Sequence, residues 1–278
     1  MKVLVINLER SPARLEFMRQ QFSSMGVEME RLNGVDGQTL SDADLEWHKS
    51  VRSGYHQRTR PQIGCTLSHR LAWKNVAEGG HDWVFICEDD VFIDPLAGAL
   101  LASDGWLPGN IDILKAETTR QKIRTSLFSK NVGQGRRIAR LLSNHAGSGG
   151  YYLHRNAAQK LLKLTSENFS EPTDETLFNP FMGVASHFRI FQMYPALCIQ
   201  DFVLNRGHET PHLASLLEPA RALHEQHTLA QTKPTGIPRL KKNLQQVLSA
   251  SRVVDVPFGG NGLEPDIQQT TFKKTDLS

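Results

Sequence analysis

Up to about residue 165, short apolar runs alternate with segments of helical period along this chain. Lys2–Leu8 is a β-rich run that ends in the loop "NLERSPAR". Ser11 then stands as an N-cap with Pro12 at the first helical position, and Gly26 closes the helix. A second strand over Val27–Leu32 runs into the turn "NGVDG". Such a β–α–β opening predicts a parallel sheet with right-handed crossovers.

The pattern continues in the same alternation. "TLSDADLEWHKSV" carries a capping-box signal in Ser41 and Asp44 and predicts a short surface helix. "IGCTLSHRLAWKNVAEGG" sets Leu67, Leu71 and Val76 along one helical face, with Gly79-Gly80 as the stop. A strand over Trp83–Asp90 follows, Pro95 opens another helix, and Ile111–Lys115 is a further strand. "GSGGYYLH" gives a turn and a strand, Asn156–Leu164 a helix, "SEPTDETLFNP" a loop or helix start, and "RIFQMYPALCIQ" a late strand pair or a strand and bend. Thr118–Arg140 breaks the pattern, because it is polar and Gly-containing, and predicts a long loop between elements. Beyond Gly207 the period fades except at Leu240–Leu248. No repeat is visible, and the fold class expected is an α/β sandwich. Two parts follow from the fading pattern: residues 1–206 as the main domain and 207–278 as a C-terminal extension.

Composition narrows this picture only modestly. A chain of 278 residues with net charge +3 fits a globular protein and does not point to a nucleic-acid binder. Cys65, Cys87 and Cys198 are odd in number and widely spaced, which disfavours a disulfide framework or a zinc site and suits a reducing cytoplasm. The apolar start is too short for a signal peptide, and no window reaches the ~20 residues of a membrane-spanning helix.

The candidate chemistry lies where apolar runs are interrupted. "VFICEDDVFID" places Glu88, Asp89 and Asp90 between segments suited to burial, although burying unpaired carboxylates is costly. Strand alternation puts Glu88 and Asp90 on one side and Asp89 on the other. Two carboxylates at a strand end suit a hard divalent ion such as Mg²⁺ or Mn²⁺; the same residues would also serve as a solvated strand terminus. Asn7, Arg10 and Arg14 follow the first strand, and an Arg pair four apart would share a helix face, able to bind phosphate or simply to meet solvent. Adjacent helical positions keep Ser68 and His69 from facing each other, which argues against a hydrolase triad. The glycines of "GSGG" fit either a tight turn or close approach to a ligand, and Asp174 fits either a helix cap or a proton acceptor.

Taken together, "VINLERSPAR", "GVDG", "IGCTLSHRLAWKNV", "VFICEDDVF", "GSGGYYLHRNAAQKLL" and "PTDETLF", in this order, resemble glycosyltransferase family 25, the lipooligosaccharide and lipopolysaccharide biosynthesis transferases. The resemblance covers roughly residues 1–205. It implies a GT-A fold with a mostly parallel central sheet, and an inverting transfer of galactose or glucose from a UDP-sugar to a lipid-linked core oligosaccharide. It also implies a divalent metal, Mn²⁺ or Mg²⁺. By position, Asp90 and Glu88 would hold the metal, and Asn7, Arg10 and Arg14 would lie near the uridine and phosphates. Gly64, Ser68 and His69 would line the donor pocket with Glu88, and Asp174 would act as the base. Other readings of the same residues are a nucleotide-sugar-binding protein without chemistry and a metal-dependent phosphohydrolase or nucleotidyltransferase. The basic tract Arg120, Lys122, Arg124, Lys130, Arg136, Arg137 and Arg140, free of acidic residues, would guide an anionic acceptor at a membrane surface. The expected location is the cytoplasm, peripheral to the inner membrane, with no nucleic-acid partner.

Overall fold

The protein is described from a computed structural model over residues 1–43, 45, 58–166, 171–181, 183–206, 208, 210, 211, 213 and 251–259. The helices predicted at "TLSDADLEWHKSV" and Leu240–Leu248 lie wholly or mostly outside these residues.

Strand β1 (Lys2–Asn7), helix α1 (Pro12–Ser24) and β2 (Glu30–Asn33) form the β–α–β opening, and β1 pairs in parallel with β2. Helix α2 (Arg60–Glu78) leads into β3 (Trp83–Glu88), the parallel partner of β1 on its other side. After β4 (Val91–Ile93) and the short helix α3 (Gly98–Ala102) comes β5 (Ile113–Lys115). Then follow β6 (Ile123–Gly133), β7 (Arg136–Leu141), β8 (Gly150–His154), α4 (Arg155–Leu164) and α5 (Thr173–Phe178). Strands β9 (Ile190–Tyr194) and β10 (Cys198–Gln200), helix α6 (Asp201–Leu204) and β11 (Ser251–Val254) complete the described elements.

Nine strands form one sheet in the order β11-β6-β7-β9-β5-β8-β3-β1-β2, and β10 pairs separately with β4. This is the expected α/β sandwich, and the sheet is mixed. Parallel pairing holds β1 to β2 and β3, and β5 to β9; β8 and the β6–β7 hairpin run antiparallel to their neighbours. Alternation along the strands supplies both faces. Val3, Val5, Phe85, Cys87 and Tyr152 pack against Met18 and Phe22 of α1, while Leu4, Ile6, Val84, Ile86, Tyr151 and Leu153 pack against α2 and α4.

Three expectations change. Thr118–Arg140 is not a loop but the β6–β7 hairpin, turning through Gly133, Gln134 and Gly135, all at positive φ. The hairpin buries residues on both faces of the sheet, Ile123 and Leu141 on one and Val132 and Ile138 on the other, while Arg137 and Arg140 stay outside. Within it Arg136 is fully buried and paired with Asp94, so it cannot guide an acceptor. Second, α2 buries Ile63, Thr66, Ser68, His69, Trp73 and Val76, leaving Leu71 41% exposed, because hydrogen-bond partners reach its polar side. Third, the chain after residue 250 returns as β11 beside β6, and Val256 and Phe258 are buried. Part of the stretch expected as an extension therefore belongs to the main sheet.

Candidate functional site

Asn7 and Glu88 end the parallel strands β1 and β3, with Ile6 in register with Glu88, so the loops after both strands meet at one sheet edge. Open α/β sheets bind ligands at such an edge. A cavity of about 290 Å³ lies there, lined among others by Arg10, Asp36, His69, Glu88, Asp90 and Asp174.

β3 stops at Glu88, and Asp89 and Asp90 form the turn before β4. Asp89 faces β1 and α1: it accepts from Asn7 Nδ2 at 2.7 Å and from Arg14 Nη1 at 2.9 Å. Glu88 and Asp90 both accept from Gln200 Nε2, at 3.1 and 3.3 Å, so they turn toward one amide. The β4–β10 pair carries Gln200 there, since Gln200 sits opposite Val91. Arg14 Nη1 is 3.8 Å from Asp90, and its Nη2 donates to the Leu213 carbonyl. Arg14 is therefore built into the acid cluster rather than held out toward a phosphate. Arg10 lies before α1 instead of on it, half exposed, and pairs with Asp36, whose carboxyl it holds below the usual range. The shared helix face expected for Arg10 and Arg14 is absent, because the helix begins only at Pro12.

The Arg14 guanidinium thus meets two adjacent carboxylates, Asp89 and Asp90, while His69, Ser148 and Gln200 meet Glu88. Burial, then Glu88 and Asp89, push the Asp90 carboxyl up to about 8, against the opposing pull of Arg14 and Gln200. Burial likewise raises Asp89. A divalent cation would relieve the mutual repulsion of these crowded acids, and their hard oxygen ligands fit one. Asp90 and Glu88 are the residues placed to hold it.

His69 supports Glu88 through a buried chain. Trp73 Nε1 can only donate, so it gives its proton to Tyr151 Oη at 2.9 Å. Tyr151 then turns its own proton to His69 Nδ1, at 2.9 Å, and His69 Nε2 donates to Glu88 Oε1 at 3.1 Å. Cys65, His69 and Glu88 bring ligand atoms within 4.8 Å of one another, but both His69 nitrogens are already engaged in this chain. Ser68 Oγ donates to the Gly64 carbonyl and accepts from Val35 N, tying α2 to the loop after β2. Gly64 stands behind the cavity wall, since a Cβ there would fall 2.6 Å from Gly37 N. Asn7, expected beside the nucleotide, is likewise buried and fixes Asp89.

Asp174 lines the cavity in the first turn of α5. Its two oxygens accept from Gly147 N and Glu175 N, each at 3.1 Å, so no cation neutralises it in these contacts. Ser148 Oγ, from the "GSGG" turn, donates to Glu88 Oε1 at 2.8 Å. Sequence spacing did not single out Gln200, Ser148 or Asp36. Only "GSGG" and "GVDG" hinted at the last two, and nothing local marks Gln200.

The profile of glycosyltransferase family 25, described as LPS biosynthesis proteins, matches residues 1–177. Lipooligosaccharide biosynthesis protein lex-1 of Haemophilus influenzae is 27% identical over 203 residues, covering 70% of this chain and 66% of that protein. The lacto-N-neotetraose biosynthesis glycosyltransferase LgtB of Neisseria meningitidis serogroup B is 30% identical over 231 residues, covering 79% of this chain and 83% of that one. Among solved structures, the galactosyltransferase LgtC with donor and acceptor sugar analogues aligns at a TM-score of 0.40 and 9% identity, over 87% of this chain and 99% of that one. That likeness is too distant to bear on the site. The profile match takes in the first strand, the α2 block, the acid cluster, the glycine turn and Asp174, and by it the chain belongs to glycosyltransferase family 25.

Proposed function

We propose that this protein is an inverting hexosyltransferase that moves galactose or glucose from a UDP-sugar to a lipooligosaccharide or lipopolysaccharide core. The observation that carries the reading is the gathering of three acids at the ends of β1 and β3, with Glu88 and Asp90 turned to one amide, Gln200, and Asp89 and Asp90 beside Arg14. Asp90 and Glu88 would hold a divalent ion, Mn²⁺ or Mg²⁺. When bound, that ion supplies positive charge to a departing diphosphate.

The chain's own residues do the rest. Asn7, Arg14 and Gln200 fix the carboxylates, and His69 and Ser148 set the orientation of Glu88. Arg10, half exposed at the cavity lip, exchanges Asp36 for the donor's phosphates. Asp174 accepts the proton of the acceptor hydroxyl as that oxygen attacks the anomeric carbon opposite the leaving UDP, which inverts the centre. A carboxylate held, among the described residues, by two backbone N–H groups is suited to that task.

The acceptor class rests on the relatives, of which lex-1 and LgtB are named for lipooligosaccharide and lacto-N-neotetraose biosynthesis. Membrane contact would fall to the exposed positions of the β6–β7 hairpin, among them Lys130, Arg137, Arg140 and Phe128, the last 88% exposed. An aromatic ring among cations suits an anionic bilayer surface on the cytoplasmic side. No described helix is long and apolar enough to cross a membrane.

A donor screen tests the reading: UDP-galactose, UDP-glucose, UDP-N-acetylglucosamine and CMP- or GDP-sugars, with and without Mn²⁺, scored by nucleotide release. UDP release that requires the metal and a hexose donor is the expected result. Release of phosphate or pyrophosphate, or nucleotide binding with no turnover on any acceptor, would replace it with a hydrolase or a binding protein.

A further inference from the structure

Side chains two apart at the end of β5 share a face, so Lys115 and Glu117 point the same way. Both are fully buried, with Lys115 Nζ 3.1 Å from Glu117 Oε2, and neither lines the cavity. A buried ion pair is by itself weak evidence for stability, so its other contacts decide what it does. Lys115 Nζ also donates to the carbonyls of Ala146, at 2.9 Å, and Gly147. Glu117 Oε2 also accepts from Gly149 N at 2.9 Å. The pair grips one turn, residues 146–149, from beneath. Glu117 Oε1 is left without a hydrogen-bond partner, so the pair's hydrogen bonding is complete only on the side that holds the turn.

The upper side of that turn meets the site twice. Gly147 N donates to Asp174 Oδ2 at 3.1 Å, and Ser148 Oγ donates to Glu88 Oε1 at 2.8 Å. The glycines explain the close grip. Gly147 has φ +89°, and a Cβ there would lie 2.7 Å from Glu117 Oε2; a Cβ on Gly149 would lie 2.8 Å from Glu117 Oε1. Any movement of Lys115 or Glu117 is therefore passed to both Glu88 and Asp174 through a turn of four residues.

We propose that Lys115 and Glu117 are positioning residues that fix the 146–149 turn and, through Ser148 and the Gly147 amide, set Glu88 and Asp174 relative to each other. The catalytic half of this inference rests on the hexosyl-transfer reading given above; the structural half does not.

The test combines native-state amide exchange with a double-mutant cycle. Lys115→Met with Glu117→Gln removes both charges together and avoids an orphaned buried ion. Gly147→Ala lifts the turn from its own side and leaves the pair intact, so one of the two variants remains informative if the other fails to fold. Either change should speed amide exchange of the 146–149 turn about tenfold or more while β1 and α1 stay protected. Turnover should fall about tenfold with donor KM within about threefold, the mark of lost alignment rather than lost binding. Ser148→Ala alone should cost about fivefold, but less than about twofold when added to the Lys115/Glu117 variant, because both act through one turn. Unchanged exchange at the turn, or losses that multiply independently, would overturn the proposal. If the wild type transfers no sugar from any donor, the functional reading fails while the exchange measurement still decides whether the pair holds the turn.

Discussion

Two buried charge clusters flank this fold, and they are built on opposite terms. Arg136 and Asp94 form a one-to-one pair, with side chains 0% and 7% exposed, that ties the hairpin to the segment after β4. Glu88, Asp89 and Asp90 instead crowd three carboxyl groups at one strand end, two of them beside Arg14, and Asp90 is driven up to about 8 by burial and by its two acidic neighbours. A one-to-one pair away from the cavity is structural, even with the Arg136 Nε unpartnered. Acids crowded at a strand end, beside a cavity, are arranged for a ligand. Lys115 and Glu117 stand between them, matched in charge but with one carboxylate oxygen unpartnered.

The sharpest way to test the contrast is to alter each cluster and read stability and turnover separately. Asp174→Asn, on the site side, should lower kcat by about 10²–10⁴ with little change in Tm, as expected for loss of a general base. Comparable turnover by the variant in a nucleotide-release assay would remove Asp174 from the mechanism. Arg136→Ala should do the reverse, costing about 3–5 kcal/mol of stability by leaving Asp94 without its guanidinium. Denaturant melts would report it, and the remaining folded fraction should keep its kcat.

The intermediate pair predicts a pH effect. Burial raises the Glu117 carboxyl to about 7, against the favourable pull of Lys115. A carboxylate raised in the folded chain binds its proton more tightly there than when unfolded. Its contribution therefore weakens the fold as pH rises from the ordinary glutamate range through about 7, by up to about 3 kcal/mol. Glu117→Gln should flatten that part of the stability–pH curve; parallel curves for variant and wild type would exclude the effect.

Asp90→Asn should lower turnover about a hundredfold while leaving Tm unchanged or slightly higher, since it removes an acid crowded by two acidic neighbours. A large loss of stability here would mean that the cluster is structural after all, and the comparison would fail. The smallest effect belongs to the exposed hairpin. Arg137→Glu with Arg140→Glu should weaken sedimentation with anionic vesicles, each lost cation counting about 1 kcal/mol, and leave donor KM alone.

How legible the site was depended on whether its contacts are local. Residues "VFICEDD" announced a buried strand with charge at its end, and the first turn of α1 marked its own start with Pro12. The roles within those stretches were not legible. Arg10 and Arg14 look alike in sequence, but one meets Asp36 and the other Asp89, from residues 26 and 75 positions away. Periodicity set Leu67, Leu71 and Val76 along one face of α2, yet His69 is buried instead of Leu71, because Tyr151 and Glu88 arrive from other strands to satisfy it. The basic tract looked like a loop because the apolar positions of a half-exposed strand are few, and Arg136 disguised one of its inward positions.

From the chain alone came the alternation of strand and helix, the acid triplet at a strand end and the family blocks. These are written in short-range periodicity and composition, which backbone geometry reads directly. Only the tertiary structure decided that Gln200 bridges Glu88 and Asp90, that Arg14 belongs to the acid cluster, and that Lys115 and Glu117 sit under the glycine turn. Those outcomes depend on which distant groups become neighbours once water is excluded, and the energy of a buried charge is set by such neighbours and not by its place along the chain.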